Sequence, residues 1–216
     1  ALMEDLQGWS RTAAKLFIWD YTMNLSGPFT AHPNLHVFAP DFRTYSDANA
    51  VGVFCEGESN SLTHAVELKV YVMAHLLWDP ARDENQLIDE FLTGYYGPAA
   101  TAIRAWHELL REKVADIRLR WNHGPDASWL DLAALNRGSE LFRQAETAVA
   151  GDPVRSARVR RARLALDHQW VLDYRGYRRE AERSGTPFHG PTDAGRAARE
   201  LTDYILTEIE RTRDQA

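Results

Sequence analysis

A single cysteine, Cys55, is all the thiol that this chain of 216 residues holds. An internal disulfide is therefore excluded, as is any metal centre built on several thiolates. No stretch approaches the roughly 20 consecutive apolar residues of a membrane span. Positive charge is not in excess: 25 Lys and Arg stand against 31 Asp and Glu, a net charge of −6. That balance, with no basic tract interleaved with aromatics, argues against a nucleic-acid partner. No CxxC pair occurs and the histidines look scattered, so neither a metal nor another cofactor is expected. Low-complexity linkers and repeats of fixed period are lacking too. The opening residues, Ala1-Leu2-Met3-Glu4-Asp5-Leu6, read as helix rather than as a leader and so carry no information on localisation.

What is present is an ordinary globular balance, 44% hydrophobic and 26% charged, with seven Trp and eight Tyr. Ring faces stack on the C–H faces of pyranoses, so aromatic excess suits sugar binding. Core packing is the plainer role for most of these rings.

Residues 1–14 carry helical spacing through Leu2, Leu6, Trp9 and Ala13. Lys15 to Tyr21 and Val51 to Cys55 are short continuous apolar runs, the pattern of strands buried on both faces of a parallel sheet. A loop from Thr22 to about Leu35 and a helix starting at Pro40 lie between them. Helix, strand, loop, helix, strand is the alternation of a parallel sheet, and two strands need neighbours to be stable. From Ser61 to Trp78 a helix capped by Ser61 or Thr63 is apolar almost all round, so it is expected to be sandwiched. Helices follow over Asp83–Tyr95, then from Pro98 through a stripe ending at Ile117 and Trp121, over Ser128–Ala150, over Pro153 to about Glu182, and over Pro191–Thr212. Everything after about residue 80 reads as an antiparallel helical bundle.

Ligands of parallel barrels sit at the carboxyl ends of the strands. Asp20 ends the first strand, between Trp19 and Tyr21, and Glu56 and Glu58 follow the second. Carboxylates there suit glycoside hydrolysis, which uses an acid and a nucleophile or base. The plainer role is a loop acid capping the next helix, and Glu58 fits it better than Glu56. A cysteine-nucleophile set of Cys55, His64 and Asp20 ranks below a core position for Cys55. His64, His75, His107, His123, His168 and His189 are read as structural. The Arg155, Arg158, Arg160, Arg161 and Arg163 run is read as a solvated face pairing with acids, ahead of an anion site.

Three segments, Lys15–Tyr21, Pro33-Asn34-Leu35 and Gly52–Gly57, resemble the end of a bacterial family, DUF4838, a domain of unknown function. Glu67–Pro80, with its Leu-Leu-Trp-Asp-Pro ending, and Glu90–Ala100 resemble that family more closely; the likeness covers about residues 10–110. It implies a carbohydrate-active (β/α)8, TIM-like barrel related to glycoside hydrolases, with relatives in glycoside hydrolase family 163 that act as endo-β-N-acetylglucosaminidases on N-glycans. It implies a secreted, periplasmic or cell-surface location. Trp19, Asp20, Tyr21 and Glu56 are the matched positions for a sugar site, Glu56 and Asp20 as the acids and Trp19 and Tyr21 as substrate contacts. On this basis residues 1–78 are the last two βα units of the barrel and 79–216 a bracing helical domain, mostly helical overall. Trp78 is then a packing anchor between the two. A middle strand carrying an acid pair is missing, so the chain alone is expected to be inactive. Its expected partners are a glycan or oligosaccharide and the absent barrel units or a second copy. The alternative is a non-catalytic helical interaction or carbohydrate-binding module.

Overall fold

The computed structural model describes residues 2–57, 62–125 and 127–213. The chain starts with α1 (Leu2–Thr12), β1 (Leu16–Tyr21), α2 (Leu35–Asp47), β2 (Ala50–Glu56) and α3 (Val66–Trp78). It continues through α4 (Glu84–Tyr96), a 3-10 turn (Gly97–Ala99), α5 (Ala100–Lys113) and α6 (Leu132–Ala148). It ends with α7 (Pro153–Ala162), α8 (Leu164–Leu172), α9 (Tyr174–Ser184) and α10 (Ala194–Arg213). The fold is thus mostly helical, with one parallel two-stranded sheet among the described residues.

β1 and β2 pair in register, Ile18 with Val53, Trp19 with Phe54, Asp20 with Cys55 and Tyr21 with Glu56. Side chains alternate between faces. Val53 and Cys55 pack against the main core, and Ile18 and Asp20 share their side. The other side is bare: Phe17 is 71% exposed, Trp19 64% and Phe54 57%. Burial on both faces therefore holds for one face only, because the helices that follow each strand cover a single side. Helix α3 shows the same asymmetry. Leu68, Val72 and Leu76 are buried, whereas Val70, Leu77 and Trp78 face outward. Trp78 is 91% exposed, so it anchors nothing in this chain.

Several boundaries differ from the sequence expectation. Helix α2 starts at Leu35 and carries Pro40 inside it, which removes the helical bond to the carbonyl of His36. Helix α3 starts at Val66, after Ala65 in the left-handed region at φ 56°, with no side-chain cap; Ser61 and Glu58 lie outside the described residues. The stripe toward Trp121 leaves the helix at Lys113, and Ile117 and Trp121 sit half-exposed on an irregular segment. Helix α6 begins at Leu132 because the Asp131 carboxylate accepts the Ala134 N–H at 2.8 Å. The single helix expected from Pro153 is three. Asp173 caps the helix after the second joint by accepting the Gly176 N–H at 3.1 Å, and in the preceding helix the buried Trp170 donates to Ser139 Oγ at 3.0 Å.

One core cluster runs from Ala31 through Leu76, Leu87, Trp106 and Phe142 to Ala181, without a break at residue 78. A smaller one joins Leu62, Leu164 and Leu201. Four of the five arginines of the run pair with acids, whereas Arg158 donates to the Tyr95 carbonyl at 2.8 Å, and the face is half-buried rather than solvated. Arg161 reaches Glu67 on α3 at 2.5 Å and Glu208 on α10 at 2.8 Å, and Arg163 reaches Glu146 on α6 at 3.0 Å. These half-buried pairs tie α7 and the Arg163 joint that follows it to three other helices.

Candidate functional site

The two strands end side by side and are locked together there. The Thr22 backbone N–H and its hydroxyl both donate to the Glu56 carbonyl at 3.0 Å. On the bare face the Trp19 indole N–H donates to Glu56 Oε2 at 2.7 Å. The same indole meets the Phe54 ring edge-on, with centroids 4.8 Å apart. The bond to the indole holds both the ring plane and the carboxylate in fixed orientation. A cleft of about 490 Å³ opens beside them, lined by Trp19, Thr22, Phe54, Glu56, Val66 and Lys69 among others.

Asp20 points the other way. It lies on the helix-covered side, where the Tyr45 hydroxyl donates to its Oδ2 at 3.1 Å. Burial raises the Asp20 pKa, and the Tyr45 bond offsets only part of the rise. Asp41, one helical turn before Tyr45, is pushed up to about 6 by burial and by the Asp20 charge. Both acids line a second cleft of about 810 Å³, together with Tyr21 and Trp121, whose rings stack at 4.7 Å. Asp20 and Glu56 thus occupy opposite faces of the sheet, while Trp19 borders both clefts. Asp41 was not singled out in the sequence. Its signal was the Asp41–Tyr45 spacing of four on α2, which faces whatever ends β1.

Behind the strand ends lies a polar cluster that the sequence did not reveal. Lys69 of α3 is only 4% exposed, and its ammonium donates to the Thr22 carbonyl at 3.3 Å. Desolvation lowers its pKa to about 7. His64 accepts the His32 backbone N–H on Nδ1 at 3.4 Å, and its Nε2 is buried with no partner among the described residues. Its ring lies 5.5 Å from that of His107 on α5. His32 Nδ1 and His123 Nε2 lie 3.3 Å apart, within hydrogen-bonding distance, and their rings stack. Burial drives His32 down to about 2, His107 to about 4 and His64 well below its ordinary value, and Lys69 pushes all three further down. The histidines that looked scattered therefore meet, because the 22–34 loop is laced to the 121–125 segment. The lacing includes Asn24 donating to the Gly124 carbonyl at 2.7 Å and Thr30 to the Pro125 carbonyl at 3.1 Å.

Cys55 belongs to the strand face turned to the core, and burial pushes its thiol up to about 11. That is the reverse of what a nucleophilic thiolate needs, and His64 is occupied elsewhere. His32 and His36 do stand at a four-residue spacing. Among the described residues, however, no group of three or more His, Cys, Asp or Glu is arranged to hold a metal ion.

A parallel strand pair ending in exposed aromatics and carboxylates, backed by helices, is the frame into which the family comparison falls. The model of a domain of unknown function, DUF4838, matches residues 1–108, half of the chain. The chain belongs to this family. No curated protein and no solved structure matches it.

Proposed function

We propose that this chain supplies two strand ends to the glycan site of a glycoside-hydrolase-like, carbohydrate-active protein, with its helical remainder bracing them. One observation carries this: an exposed indole, Trp19, held by its own N–H against the carboxylate of Glu56 at the carboxyl end of a parallel strand pair. A flat ring beside a fixed acceptor matches the two demands of a pyranose, an apolar C–H face and a rim of hydroxyls. The bare sheet face then belongs against further strands, of the same protein or a second copy, which make residues 1–78 the last units of a barrel. Two acids that flank one glycosidic bond must face it from the same cavity. Glu56 is accordingly the acid that this chain gives to the sugar, and a second acid comes from a neighbouring strand. Asp20 lines the other cleft, which Trp19 and Tyr21 also border from the strand edge. With one carboxylate on the sugar side, the chain by itself binds and does not hydrolyse.

Glycan-array binding of the full chain, followed by titration of its best ligand against Trp19→Ala and Glu56→Gln, tests this. The expected result is a loss of about tenfold or more in affinity for each variant, the weight of a stacking contact or a charge-assisted hydrogen bond. Binding unchanged in both variants removes the strand ends from the site. An array with no bound glycan, alongside capture of a protein partner, favours the helical interaction module instead.

A further inference from the structure

The floor of the Trp19–Glu56 cleft carries a group that neither the fold nor the proposed stacking contact requires. Lys69 lines the cleft yet is almost fully buried. Lysines at such depth are normally paired with an anion. Among the described residues the ammonium has only the Thr22 carbonyl, which already accepts a bond from Asn34 Nδ2 at 3.1 Å. No Asp or Glu forms an ion pair with it among the described residues, and Glu56, the carboxylate of the cleft, is turned to the Trp19 indole. Among the described residues, the titratable groups whose charge balance includes Lys69 are His32 and His64 from the preceding loops and His107 from α5, itself under the Arg104 charge. All of these are neutral or positive. Cys55 lines the cleft from β2 with a neutral thiol. His64 also keeps a buried ring nitrogen without a partner. Among the described residues, Lys69 is therefore a desolvated donor on the cleft lining with no countercharge of its own, and the neutral histidines lie behind it rather than on the lining.

We propose that this floor is an oxyanion subsite, in which Lys69 receives a carboxylate or sulfate group carried by the ligand. The sugar part of this ligand rests on the glycan reading above; the anion part does not. With Trp19 stacked on the ring and Lys69 below the rim, the ligand is an acidic sugar, a uronic acid or a sulfated residue. An arriving anion restores the charge that burial removed, so binding draws a proton onto the amine.

Isothermal titration of the full chain with glucuronate, glucose and inorganic sulfate, at about pH 8.5 and in two buffers of different ionisation enthalpy, reads both affinity and proton uptake. Glucuronate and sulfate are expected to bind with uptake of about one proton, since the free amine is mostly neutral there. Glucose is expected to bind about tenfold more weakly than glucuronate. Lys69→Met is expected to lose about tenfold or more of the anion affinity and all of the proton uptake. Lys69→Gln, which keeps a donor without a charge, should lose the uptake as well. Glucose bound as tightly as glucuronate without proton uptake overturns the subsite and leaves the glycan reading standing. Sulfate and glucuronate bound equally, with uptake and with no effect of Trp19→Ala, keep the subsite and remove the glycan reading. Absence of anion binding, or binding that Lys69→Met leaves intact, overturns the subsite.

Discussion

Replacing Lys69 by methionine should make this protein more stable, by an amount that depends on pH. Burial lowers the Lys69 pKa from 10.5 to about 7. Each unit corresponds to about 1.4 kcal/mol of preference for the neutral form, so holding the residue in the folded state at or below neutral pH costs about 4–5 kcal/mol. The unfolded chain keeps the proton until pH approaches 10.5, whereas the folded chain gives it up near 7. Between these values the unfolded state binds more protons, and stability rises with pH. The penalty is thus fully present below about pH 7 and fades toward 10.5. Methionine fills nearly the same volume without a charge, and the Thr22 carbonyl keeps its bond from Asn34. Subtracting about 1 kcal/mol for the lost lysine hydrogen bond leaves a net gain of about 3 kcal/mol at pH 7 and about 1 kcal/mol at pH 9. Urea unfolding followed by circular dichroism, for both proteins across that range, measures the difference directly. A gap that does not narrow as pH rises, or a variant less stable than the parent at pH 7, refutes the view that the amine is buried at a cost. A residue that lowers stability in this way is the kind expected at a binding site.

Acid should destabilise the fold through its neutral histidines. His32 at about 2 and His107 at about 4 stay unprotonated in the folded chain, as does His64, while the unfolded chain protonates them near 6.5. Stability is therefore lost as pH falls below about 6.5. Asp41, raised to about 6, works in the opposite direction, leaving a slope of about 2–3 kcal/mol per pH unit near pH 5; flat stability between pH 6.5 and 4.5 contradicts this. Gly138→Ala should cost about 1–3 kcal/mol, because the new Cβ would stand 2.6 Å from the buried Trp106 ring and 3.2 Å from Leu166. A loss below about 0.5 kcal/mol would show that α5 and α6 separate easily. The bare sheet face predicts concentration-dependent association or dye binding by the chain alone, reduced by Phe17→Glu and Phe54→Lys. Sedimentation as a single monomer with no dye uptake would count against unpaired strands.

Much of this molecule was legible in its residues. The runs around Phe17 and Val53 announced strands because continuous β-branched and aromatic residues suit no exposed helix, and both strands are present and parallel. The helix starts at Asp83, Pro98 and Pro153 were legible because capping and punctuation depend on neighbours two or three residues away, as the Asp83 and Asp152 caps and the Gly97-Pro98 turn show. The acid pairing of four of the five arginines in the run was expected from the residues, but not the half-burial of that face or the Arg158 bond to the Tyr95 carbonyl. Errors came where local pattern and packing disagree. Pro40 read as a helix start and lies within one. The heptad-like spacing through Trp121 outlasts its helix, since the Lys113–Asp131 ion pair and the links to Leu25 and Tyr21 hold the segment elsewhere.

The sequence by itself determined the family, the mostly helical character, the parallel strand pair and the presence of Trp19, Asp20 and Glu56 at strand ends. All of these rest on periodicity and motifs, which act over a few residues. Only the tertiary structure decided that Asp20 and Glu56 face opposite sides, that Asp41 joins Asp20, and that Lys69 meets His32, His64 and His107. Those outcomes depend on which face of each strand a helix covers, and on two loops about 90 residues apart being laced together. Such long-range contacts set the desolvation that moves each pKa, and no local pattern of residues encodes it.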